Sequence, residues 1–355
     1  MSALAAMLAL PAAAQDKVVN VYNWSDYIDD SILADFTKET GIKVTYDVFD
    51  SNEILETKLL AGGSGYDIVV PTHNFLARQI QAGVFQKLDK SKLPNLSNMW
   101  DMISERTAKY DPGNEYSINY MWGTVGLGYN KKKVKEALGL DAITSWDVFF
   151  KPENLEKLAG CGVYVLDSPS DIVSTTLKYL GLDPESKSQE DLAKVEATLV
   201  AVRPYIRKFH SSEYINALAN GDICLAVGWS GDVFQARDRA AEAGQGVEVD
   251  YVVPSEGAEM WFDQMAIPAD AQHVAEAHEF LNYMMKPEVA AKASNFVYFA
   301  NGNKAAQQFL DKEVSGNPAI YPDEATLAKM FTVAPYDPKT QRTVTRMWTK
   351  IVTGQ

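Results

Sequence analysis

Residues 18–72 read VVNVYNWSDYIDDSILADFTKETGIKVTYDVFDSNEILETKLLAGGSGYDIVVPT, and the hydrophobic period switches repeatedly along this stretch. Val18–Asn23 is a short β-branched run, the composition of a strand. Ser31–Thr40 then places Ile32, Leu33 and Phe36 on one helical face and stops at Gly41, a natural C-cap. Ile42–Phe49 alternates as a strand. Ser51 or Asn52 can cap a helix that runs through Leu60 to Gly62-Gly63, and Asp67–Val70 is an apolar strand closed by Pro71. This βαβαβ order predicts a parallel sheet with helices on its faces, since parallel neighbours need a crossover connection.

The pattern returns further on. Val163–Leu166 reads as a strand, a stretch from about Asp191 to Val202 as a helix, and Ile223–Trp229 as a strand. A strand near Phe262–Pro268 leads into the amphipathic stretch Ala271–Met285, broken at Pro287. With 355 residues, 46% hydrophobic, the chain can bury a core large enough for two lobes. No linker rich in Gly, Ser or Pro separates the halves, so lobes joined by crossing strands are expected. Disorder, collagen and coiled coil are excluded by the same composition.

Lys and Arg number 33 against 47 Asp and Glu, a net charge of −14, with no basic block to track a phosphate backbone. Nucleic acid is therefore not an expected partner, whereas a cationic ligand is compatible. Residues 1–15, MSALAAMLALPAAAQ, form an apolar run ending in three alanines, so residues 1–14 are expected to be a secretory signal peptide, although no basic residue precedes the run. No cysteine lies near the cleavage site to carry a lipid. No later segment approaches the ~20 apolar residues of a membrane span, so membrane insertion is not expected. Cys161 and Cys224 are too few and too far apart for a zinc site. In an oxidising compartment they would pair; without export, two buried free thiols is the alternative.

Signals for catalysis are weak. Four histidines leave little for nucleophile–base chemistry, and His273 and His278, five apart, do not share a helical face and read as solvated surface. Gly228-Trp229-Ser230-Gly231-Asp232 has Asp where a nucleophile elbow needs Gly. Gly62-Gly63-Ser64-Gly65 lacks the Lys and Ser/Thr of a phosphate loop. Lys131, Lys132, Lys133 and Lys135 read as a solvated helix face.

Three clusters join aromatic residues to acids near strands: Trp24-Ser25-Asp26-Tyr27, Trp229-Ser230-Gly231-Asp232 and Trp261-Phe262-Asp263. Ligands of α/β lobes bind beyond the carboxyl ends of strands. Aromatic faces attract cations and cover methylenes, and a carboxylate offsets the desolvation of an ammonium. An organic ammonium fits that composition.

Here the chain resembles the polyamine-binding proteins of bacterial ABC importers, most closely the putrescine-binding branch, from about Val18 to Lys350. The stretches carrying the resemblance include VYNWSDYI, FTKETGIKVTYDVFDSNEILETKLLAGGSGYDIVVPT, YMWGTVGLGYN, SWDVFFKPENLEKL, FHSSEYINALANGDICLAVGWSGDV, FDQMAIPADA and NGNKAA. It implies an α/β, two-lobed periplasmic-binding-protein fold of type II, each lobe a mixed, mainly parallel sheet flanked by helices, with the ligand in the cleft. The expected lobes are residues 16–124 with 252–301 and residues 125–251 with 302–355. A periplasmic monomer without cofactor or metal, which takes putrescine or spermidine and docks on a membrane permease, follows from the resemblance.

The same resemblance implies that Trp24 and Trp229 flank the methylene chain, with Tyr27 and Ser25 at the rim and Asp26 and Asp232 near one end. Asp263 is expected to pair with an ammonium beside Trp261, and Ser211 lies in the matching segment. Thr72 stands where the family commonly has Ser, Asp171 where the putrescine type has Glu, and Phe299 where Tyr is common. Trp261 departs from the putrescine-type Phe and matches the spermidine type. Cadaverine or agmatine is the alternative ligand within this fold. Acids at the cleft oppose an anion receptor, a ferric-ion receptor would need paired Tyr ligands there, and an exported hydrolase using two of these carboxylates is a more distant alternative.

Overall fold

The structure, a computed structural model, describes residues 17–354; the expected signal peptide at residues 1–14 lies outside the described residues. The opening βαβαβ unit forms as its sequence requires. Strand β1 (Val18–Trp24) pairs in parallel with β2 (Lys43–Phe49) and β3 (Ile68–Val69). The intervening helix Asp30–Thr40 ends at Gly41 in the left-handed conformation, φ 73°. Ser51 caps the helix Asn52–Ala61 by accepting from the Ile54 amide. Helix His73–Gln81 follows β3.

Strand β4 (Ser117–Asn130) spans fourteen residues, all buried, and joins the two lobes. After β4 come β5 (Val163–Val165), β6 (Lys208–Phe209), β7 (Leu225–Trp229) and β8 (Val249–Val252). The chain returns through β9 (Met260–Ala266) and β10 (Ala300–Asn301). The strand order is β2-β1-β3-β9-β4-β7-β5-β6, with β8 and β10 also on β4. Along β4 the partner changes: Ser117–Thr124 pairs with β9, and from Val125 onward β7 takes over, joined by β8 from Leu127.

Among the named strands, parallel pairing is confined to the βαβ units, β1 with β2 and β3, and β5 with β6 and β7. Every pair that involves β4 or β9 is antiparallel. The sheet is mixed rather than mainly parallel because strands that cross between lobes run out along one direction and return along the other. Helix Pro287–Val297 begins at Pro287, which breaks one helix and opens the next. Helix Pro338–Thr353 packs on the helices Pro169–Tyr179 and Gln189–Val202.

Cys161 and Cys224 form a disulfide, Cα–Cα 5.6 Å, closing a sequence separation of 63. No helix among the described residues is long and apolar enough to cross a membrane. The expectation of a solvated His278 fails: it is buried, its Nε2 accepting from the Asp89 amide at 2.9 Å. His273 is partly covered too, with Nδ1 2.9 Å from Asp67 Oδ2. Tertiary partners more than 180 residues away decide both environments.

Candidate functional site

A cavity of about 540 Å³ lies between the two lobes. Every residue predicted for the site except Asp26 lines it: Trp24, Ser25, Tyr27, Thr72, Asp171, Ser211, Trp229, Asp232, Trp261, Asp263 and Phe299. Trp24 and Trp229 are the last residues of β1 and β7, and Thr72 follows β3, so the carboxyl ends of parallel strands deliver them. Asp171 and Asp232 lie in the first turns of helices Pro169–Tyr179 and Ser230–Ala243, where the helix dipole favours negative charge.

The aromatic residues frame the cavity. Trp24 and Trp229 meet edge to face across the lobes with centroids 5.6 Å apart. Trp24 Nε1 donates to the Val70 carbonyl at 2.9 Å, which locks the indole. Trp261 and Phe299 meet at 5.0 Å, and Tyr27 packs on Phe299 at 5.4 Å. Two glycines make room. In β4, Gly123 sits opposite Trp261, and a Cβ there would lie 2.6 Å from the indole; at Gly231 it would lie 2.5 Å from Phe299.

The carboxylates are buried and hydrogen-bonded by neutral donors. Asp263 accepts from the hydroxyls of Tyr27 at 2.8 Å and Thr72 at 2.7 Å. Thr72 is the N-cap residue of helix His73–Gln81 but makes no cap bond, since its hydroxyl goes to Asp263 instead. Asn52 braces it twice, with Nδ2 donating to the hydroxyl and Oδ1 accepting from the Thr72 amide. Asp232 accepts from Tyr214 at 2.6 Å, and Asp171 from Trp229 Nε1 at 3.0 Å. Burial pushes the Asp263 and Asp232 carboxyls up to about 7 and Asp171 up to about 6, because desolvation penalises their charged forms more than the neutral donors favour them. Trp261 Nε1 and Ser211 Oγ are buried without a hydrogen-bond partner among the described residues.

Asp26 departs from expectation. It occupies the left-handed region, φ 53°, and its carboxylate leaves the cavity to meet Arg239 Nη2 at 2.6 Å. The turn that brings Tyr27 inward rotates Asp26 outward. Sequence reasoning missed Asp50, Asn52 and Asn74, which also line the cavity. Polar residues at helix starts carry no signal of their own that separates a cleft from a cap. It also missed His73, whose Nδ1 accepts from the Phe262 amide at 3.2 Å and so anchors β9 between Trp261 and Asp263. Burial lowers His73 to about 3 and keeps it neutral. Among the described residues no group of side chains is arranged to hold a metal ion.

The family model for bacterial extracellular solute-binding proteins matches residues 31–322. The putrescine-binding periplasmic protein SpuD of Pseudomonas aeruginosa is 53% identical over 344 residues, covering 97% of this chain and 94% of that one. The putrescine-binding periplasmic protein PotF of Escherichia coli is 53% identical over 345 residues, 97% of this chain and 93% of that one. Among solved structures, a putative spermidine/putrescine ABC transporter protein from Listeria monocytogenes superposes with a TM-score of 0.83 at 30% identity, covering 94% of this chain and 98% of that one. With a two-lobed fold, an interlobe cavity and these relatives, the chain belongs to the bacterial extracellular solute-binding proteins.

Proposed function

We propose that this protein is a periplasmic receptor, not an enzyme, that captures putrescine or spermidine and delivers it to the permease of an ABC importer. The observation that carries the reading is the set of three buried carboxylates, Asp171, Asp232 and Asp263, hydrogen-bonded among the described residues by neutral donors inside an aromatic cavity. Such groups await a cation, because an ammonium restores the charge balance that burial disturbed. The indoles of Trp24 and Trp229 would cover the methylenes, Asp263 would hold one ammonium with Tyr27 and Thr72 orienting it, and Asp232 and Asp171 would face the other. Ser25, Ser211, Trp261 and Phe299 complete the wall, and Asp26 acts in the lobe contact. That both 53% identical relatives are putrescine-binding periplasmic proteins supports putrescine.

The lobes are proposed to divide between Thr124 and Val125, between Tyr251 and Val252 and between Asn301 and Gly302, and the protein to act as a monomer. Ligand-stripped protein titrated calorimetrically with putrescine, cadaverine, spermidine and agmatine tests the reading. One-to-one binding of putrescine and spermidine is expected. Silence with all four ligands, or release of sugar from an exported glycan incubated with the protein, would overturn it.

A further inference from the structure

A second cavity, about 740 Å³, adjoins the first and shares Asp50 and Ser211 with it. Both sides of the cleft form its walls. Glu53, from the first turn of helix Asn52–Ala61, faces Asp167 and Trp348 of the second lobe. Asp167 accepts from Trp348 Nε1 at 2.7 Å, a neutral donor. Arg78, the cation acting on Glu53, is already held by both oxygens of Glu56 at 2.5 and 2.6 Å and by Gln341 at 3.1 Å. Burial, reinforced by Asp171 and Asp167, pushes Glu53 up to about 7. At the junction of the two cavities Ser211 is 7% exposed, and its Oγ has no partner among the described residues. An acidic cluster alone would be a solvated rim; a buried, unpartnered hydroxyl at its inner end marks a passage built for a polar ligand.

We infer that this outer chamber receives an additional ammonium of a longer linear polyamine, with Glu53 and Asp167 as counter-charges and Trp348 against the methylenes. The inference rests on the polyamine reading above. Each added aminopropyl unit brings another ammonium and another apolar stretch, and the chamber repeats the composition of the central cavity one step further out. Ser211 Oγ would accept from the amine that passes between the two.

Spermine is the probe and putrescine the control. In calorimetry, Glu53→Gln and Asp167→Asn are each expected to weaken spermine about fivefold or more and to change putrescine less than about twofold. In the unaltered protein carrying 5-fluorotryptophan, the Trp348 fluorine resonance should move with spermine beyond its position in the putrescine complex, a readout that does not depend on a variant folding. Equal loss of both ligands in the variants, unchanged spermine affinity, or one Trp348 shift common to both complexes would overturn the assignment. So would wild-type protein that binds putrescine but not spermine, leaving the receptor reading intact. Failure to bind either ligand would remove that reading and this one with it.

Discussion

Asp263 is held between two hydroxyls, Tyr27 and Thr72, with no cation beside it among the described residues. Asp263→Asn should therefore keep the hydroxyl contacts approximately but leave a buried ammonium without counter-charge, weakening putrescine and spermidine by about 2 to 5 kcal/mol in calorimetry. Trp261→Phe removes an indole N–H that finds no partner and reduces methylene cover. It should shift the affinity ratio toward putrescine by roughly 1 kcal/mol, and a shift toward spermidine would count against the site. Acidity supplies an independent check. In the free protein Asp232 and Asp263 sit near 7 and Asp171 near 6, all raised by desolvation. A dication binds best to the ionised forms, so its capture near pH 7 should release protons, and affinity should fall as pH drops from 8 to 5. Titrations in buffers of different ionisation enthalpy measure the release directly. For folding the sign is opposite: these acids ionise near 4 in the unfolded chain but near 6 to 7 in the fold, so their contribution to the stability of the free protein declines as pH rises through that window and is level above it.

Strand β4 owes part of its function to what it lacks. Gly123 faces Trp261 in register, and an added Cβ would meet that indole at 2.6 Å and Phe299 at 2.9 Å. Gly123→Ala should displace both rings into the cavity, cost about 1 to 3 kcal/mol of stability, and reduce polyamine affinity with it. Thermal melting and calorimetry on the same preparation check the two effects; a variant that binds and melts as wild type would mean the wall is softer than its packing indicates. The disulfide is the covalent tie. On the chain-entropy model, closing 63 residues between Cys161 and Cys224 stabilises the fold by about 4 kcal/mol, so reduction should lower the urea midpoint accordingly. Alkylation without reductant followed by mass measurement should leave both cysteines unlabelled.

At the scale of the whole molecule, contacts on the rim of the cleft tie its two sides together. Arg239 Nη2 meets Asp26 at 2.6 Å, and Gln235 donates to the Asp26 carbonyl at 3.2 Å, joining helix Ser230–Ala243 to the turn after β1. Both charged side chains are about a third exposed, 34% and 38%, so the pair is worth no more than about 1 kcal/mol. Arg239→Ala should speed putrescine dissociation a few-fold in stopped-flow fluorescence; a loss as large as that of Asp263→Asn would make Asp26 a direct ligand after all. The sequence by itself determined the local alphabet of this protein: the capped helices at Gly41 and Ser51, the βαβ units, and the tryptophan-plus-acid clusters at strand ends, each specified by residues within a few positions of one another. Family resemblance on those stretches brought the cavity wall within reach. Only the tertiary structure decided that β4 exchanges partners at Val125, that Asp26 turns away to Arg239, that His278 is buried against Asp89, and that Asp50, Asn52 and Asn74 join the cavity. Pairing, desolvation and charge balance depend on groups brought together from across the chain, and no window of sequence contains both partners.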